Sequence, residues 1–146
     1  MDYFVGIALA LAVSLFAAFV GFDRDRAFYP VVTVVVASYY SLFAIMSGSA
    51  VALILETVAF SVFAMLSVIG FRMNLWLVAA GLVGHGIFDF FHSQLITNTG
   101  VPVWWPNFCM AYDVVAGLYL AWALSRSALV AQSRSVSPGH AAEAKS

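Results

Sequence analysis

"LWLVAAGLVGHGIFDFFH" occupies residues 75–92, and whether it crosses a membrane decides the fold. The stretch begins with about ten apolar residues and then carries His85, Asp89 and His92. An apolar run of about 10–14 residues need not span a bilayer, whereas about 18 or more are expected to. The segment is therefore ambiguous by itself, and the sequence around it has to decide.

That surrounding sequence is very apolar. Of 146 residues, 64% are hydrophobic and only 9% are charged, with a mean hydropathy of +0.99. Soluble domains are about 45–50% apolar and about a quarter charged. The composition points to a single integral membrane bundle in the cell (inner) membrane, passing through it several times. The net charge of -1 offers nothing to a nucleic acid, so the lipid bilayer is the expected partner. The single cysteine, Cys109, leaves no intrachain disulfide.

Charges and turn residues divide the chain into five apolar segments: Tyr3–Phe22, Ala27–Met46, Ala50–Phe71, Leu75–His92 and Asn107–Ser125. "DRDR" (23–26), "SGS" (47–49), "FRMN" (71–74) and a loop over 93–106 separate them. Residues 126–146 are rich in Ser and Ala and read as a disordered cytoplasmic tail. The first segment is fronted by "MD" rather than by basic residues and is about 20 residues long, which suits a span better than a signal peptide. Continuous apolar runs of this length fit helices, not the short alternating strands of a membrane barrel.

Basic residues then resolve the fourth segment. If it spans, Arg24, Arg26, Arg72, Arg126, Arg134 and Lys145 all lie on one side of the membrane. If it does not, they divide three against three. Lys and Arg concentrate in cytoplasmic loops. The expectation is an all-α bundle of five transmembrane helices, residues 1–125, with the N-terminus outside and the C-terminus inside.

In that arrangement the ionisable residues inside the spans gather at one depth. At 1.5 Å per residue, His85 lies roughly 10 Å below the outer end of its helix at His92. Asp113 and Glu56 lie roughly 9 Å below the starts of theirs, and Tyr39 and Tyr40 come to about the same level. His85, Asp89 and His92 fall at i, i+4 and i+7, along one helix face. An ionisable side chain in mid-membrane costs about 2.5–3.5 kcal/mol on insertion scales, so such groups face the bundle interior and serve a purpose.

Three purposes fit. Two histidines with carboxylates suit a transition metal such as Zn, Fe or Mn, with His85, Asp89, His92 and Asp113 as ligands. Glu56 would then be the general base in a hydrolase or oxidoreductase acting on a lipid-soluble small molecule. The same groups could instead relay protons or ions as a small transporter. They could also be hydrogen-bonded glue in a structural accessory subunit. Few polar residues continue toward the inner face, which favours a one-sided site over a through-path. Cys109, one turn from Asp113, fits either a thiolate ligand or a small packing residue. Trp76, Trp104, Trp105 and Trp122 fit an interfacial belt. The stiff loop "TNTGVPVWWPNF" could cover the mouth of the cluster, and His140 falls in the tail.

"HGIFDFFH", "GVPVWWPNFC" and "AYDVVAGLYLAW", together spanning roughly residues 80–123, resemble a family of small bacterial membrane proteins of unknown function. That resemblance implies a functional pairing of the H-x-x-x-D-x-x-H helix, the proline–aromatic loop and the aspartate of the last helix, and implies no substrate. The chain is also loosely similar to membrane hydrolases of the ceramidase and adiponectin-receptor type, which hold zinc with histidines and an aspartate. It departs from them in having fewer spans and only His85 and His92 within them.

Overall fold

The computed structural model describes residues 1–136, with side chains described to residue 127. Five long helices account for nearly all of it: α1 (Asp2–Val20), α2 (Phe28–Ser47), α3 (Ala50–Arg72), α4 (Leu75–Leu95) and α5 (Trp105–Val136). No strand occurs among the described residues. Each helix includes a stretch long and apolar enough to cross a membrane. The doubtful fourth segment is one of them. It continues past His92 to Leu95, giving 21 helical residues.

Local chemistry sets the ends. Gly48 ends α2 with φ at 69°, a left-handed conformation that glycine adopts without a Cβ penalty. Ser49 then caps α3 by accepting from the Ala52 amide at 3.2 Å, so "SGS" is the tight turn its composition suggests. Asn74 caps α4 in the same way through the Trp76 amide, at 3.0 Å. One boundary differs from expectation. α5 runs on to Val136, beyond Ser125 where the polar tail was expected to begin. Alanine and other good helix formers in "SRSALVAQSRSV" carry the hydrogen-bond ladder onward without needing an apolar face. The rest of that expected tail, with His140 and Lys145, lies outside the described residues.

Short links make the helices alternate in direction. Two long-range hydrogen bonds tie the ends together. At one end the Arg26 guanidinium donates to the Phe71 carbonyl at 3.0 Å, which joins the α1–α2 link to the end of α3. At the other, the Tyr3 hydroxyl donates to Asn107 Oδ1 at 2.7 Å, joining the start of α1 to the start of α5.

Helix α4 is central, packing on α5, α3 and, more lightly, α2; α1 leans on α5, and α2 on α3. Small residues allow these close crossings, as is usual where lipid supplies no hydrophobic drive between helices. A Cβ on Gly86 would come within 3.0 Å of the Met110 carbonyl, and one on Gly117 within 2.9 Å of the Ala79 carbonyl. A Cβ on Gly6 would overlap the Phe108 carbonyl. The outward faces are apolar: Phe4, Leu15, Phe19, Val58 and Val62 are all exposed, as residues facing hydrocarbon should be.

Candidate metal centre and its neighbouring polar pair

All five site residues read from the sequence are buried to 2% exposure or less, although they come from three helices. They form two groups rather than one.

The first group lies between α4 and α5. His85 and Asp89 stand one turn apart on α4, and Cys109 and Asp113 one turn apart on α5. Ligand atoms from these four residues lie within 4.8 Å of one another. Gly86, beside His85, lets the two helices approach closely enough for this. His85 Nδ1 lies 2.6 Å from Asp113 Oδ2 and 3.4 Å from Asp89 Oδ2. One ring nitrogen cannot serve both carboxylates with a single proton, and the short contact goes to Asp113. Both Asp89 oxygens and Asp113 Oδ1 are consequently buried with no hydrogen-bond partner among the described residues.

A buried carboxylate oxygen without a donor is rare and calls for a water or a cation to complete it. The donor set is an imidazole nitrogen, a thiol sulfur and two carboxylates, a mixture that zinc accepts readily. A hydrogen bond between two such donors also marks a place where a proton stands and a cation can stand instead. On geometry, burial and unsatisfied oxygens, the group could hold a metal ion.

The second group lies one to two turns nearer the 96–104 loop. His92 Nε2 sits 2.8 Å from Glu56 Oε1 on α3. The Asn98 side-chain amide donates to the same oxygen at 2.9 Å and to the Tyr40 carbonyl at 3.2 Å. Tyr40 on α2 stacks on the His92 ring, with centroids 4.1 Å apart. The loop is thus pinned over this pair, and a Cβ on Gly100 would overlap the Phe43 carbonyl beneath it. The Tyr40 hydroxyl is buried without a partner among the described residues, as is Glu56 Oε2.

The structure therefore brings His85, Asp89 and Asp113 together with Cys109, and it places His92, expected in the same ligand set, with Glu56 instead. The separation of His92 has a simple cause. Residues i and i+7 share a face but stand about 10 Å apart along the axis, too far for one ion to reach both. Residues i and i+4 are about 6 Å apart and can share one. Glu56 was expected at the depth of His85, but α4 runs on to Leu95, which sets His85 deeper and leaves Glu56 level with His92 and the loop. Two participants carried weak sequence signals. Cys109 could be found from its one-turn spacing to Asp113. Asn98 had no signal beyond being a polar residue in a stiff loop.

Comparison with protein-family models, with curated proteins and with solved structures gives no match to this chain.

Proposed function

We propose that this integral membrane protein binds a transition metal through His85, Asp89, Cys109 and Asp113 and uses it on a lipid-soluble substrate. The observation that carries this reading is the convergence of four buried ligand-type side chains around carboxylate oxygens that nothing among the described residues satisfies. A purely structural cluster would be expected to complete its own hydrogen bonds. Zinc fits the nitrogen, sulfur and oxygen donors best, with iron next. When bound, such an ion supplies Lewis acidity in a site from which water is largely excluded. The protein's own groups would orient and neutralise it. Glu56, already held by His92 and Asn98, would handle protons at the loop side of the centre.

Metal analysis of the wild-type protein, purified in detergent without added metal, tests this directly. Stoichiometric zinc or iron, lost in Cys109→Ser, is the expected outcome. Wild-type protein without any transition metal, even after incubation with zinc, would leave the cluster as a hydrogen-bonded brace between α4 and α5.

The orientation belongs to the same proposal. Arg24, Arg26 and Arg72 lie at the end opposite the loop, so the positive-inside rule puts the loop, and the centre beneath it, toward the outer face of the cell membrane. Thr99 is exposed in the loop, and Cys109 is only 1% exposed and should resist labelling. Thr99→Cys in intact cells is therefore expected to react with a membrane-impermeant maleimide. Labelling only after the cells are broken would invert the topology.

A further inference from the structure

Helix α1 packs on α5 and α2 packs on α3, and the space between α1 and α2 is open. It forms a groove of about 820 Å³ with α5 as its floor. The α2 wall runs from Phe28 to Tyr39, roughly 16 Å of helix. Val31 and Val35 on that wall, and Leu9 on the facing one, are between 44% and 57% exposed, so the groove opens to the surrounding lipid. Its floor includes Cys109, whose sulfur belongs to the four-residue centre. A lateral groove in the membrane-facing surface thus has a candidate metal ligand among its floor residues.

Size and charge restrict what could lie there. The volume falls among small-molecule sites, roughly 300–1,000 Å³, enough for one chain with a small head. The charged residues of the lining are Asp2 near the loop end and Asp25 near the link end, and no Lys or Arg lines it. Anionic lipid heads are recognised by clusters of Lys and Arg, and here a phosphate would meet carboxylates instead. Between the ends the walls are apolar or aromatic, which disfavours any unpaired charge.

We infer that the groove binds a neutral lipid with a single long chain, the chain lying along α2 and the small polar head against Cys109. This names the substrate class for the proposed centre; the lipid's role beside the metal rests on that reading, while its seat in the groove does not.

Photolabelling tests the seat. The probe is a monoacylglycerol carrying a diazirine in its chain, and the control is phosphatidylglycerol with the same chain. Both are incorporated into nanodiscs holding the purified full-length protein. The monoacylglycerol should label residues 28–39 and 104–112, and the control should not. Val35→Trp, on an exposed wall position, should lower that labelling by about tenfold or more by filling the groove, with bound metal and unfolding temperature unchanged. Should Val35→Trp fail to fold, Leu9→Trp closes the groove from the other wall. Equal labelling of the α3 face around Val58 and Val62, unchanged by either tryptophan, would reduce the occupant to ordinary surrounding lipid and overturn the inference. So would equal labelling of the groove by phosphatidylglycerol. Groove labelling that follows the expected pattern in a protein free of metal would sink the metal reading and leave the lipid site standing.

Discussion

Asp113→Asn is expected to abolish metal binding at the proposed centre while leaving the five helices assembled. The substitution keeps the shape and volume of the side chain, so the α4–α5 packing around Gly86 and Gly117 has no reason to move. The amide oxygen can still accept from His85 Nδ1, which now lies 2.6 Å from Asp113 Oδ2. What disappears is a negative charge, and with it a ligand that cannot be replaced from nearby: Asp89 and Cys109 are already members of the group. Changes in groups that merely support ligands cost about 10–100-fold in metal affinity, and loss of a ligand should exceed that. Elemental mass spectrometry of the purified variant reads the result, with thermal unfolding in detergent as the check on folding. Full metal occupancy in Asp113→Asn would remove it from the ligand set. Loss of folding together with metal would favour the hydrogen-bonded brace. Asp113→Asn is a cleaner probe than His85→Ala. Deleting the imidazole leaves Asp89 and Asp113 facing each other with only the weakly donating Cys109 thiol beside them, which penalises folding whether or not a metal binds.

Glu56 should separate sharply by substituent. Its Oε1 is the shared acceptor for His92 Nε2, which is buried, and for the half-buried Asn98 amide. Glu56→Ala strands both, and breaking a buried pair by removing one partner costs about 3–5 kcal/mol. A marked fall in unfolding temperature is expected, with faster proteolysis in the 96–104 loop, since Asn98 would then keep only its bond to the Tyr40 carbonyl. Glu56→Gln keeps an acceptor oxygen, and should keep the fold, the loop and the bound metal while losing whatever turnover the centre supports. The proton role of Glu56 falls if Glu56→Gln retains full activity once an activity is in hand. Loss of metal in Glu56→Gln would instead show that the His92–Glu56 pair supports the arrangement of the four-residue group.

Much of this molecule could be read from its residues in order. Hydrocarbon leaves the backbone no partner but itself, so five apolar runs become five helices. The one ambiguous run was decided by where the arginines fall. The rise of a helix is nearly constant, so His85 and Asp113 could be placed near one depth before any contact was known, while Glu56 comes out nearer the loop, level with His92. Depth and face along a single helix are one-dimensional properties, and sequence carries them well. Which groups at that depth meet is a different matter, because it depends on how each helix is rotated and on which helix stands beside it. Gly86 and Gly117 draw α5 onto α4, and that crossing turns Cys109 and Asp113 toward His85 and Asp89, making a possible ligand of the cysteine. About 10 Å farther along the same face of α4, the neighbours are α3 and α2 rather than α5. His92 therefore meets Glu56 and Tyr40, and Asn98 is drawn in from the loop. The groove has the same origin: α1 and α2 are adjacent in sequence, but α1 packs on α5 and α2 on α3. The space left between them belongs to the assembled bundle and to no segment of it.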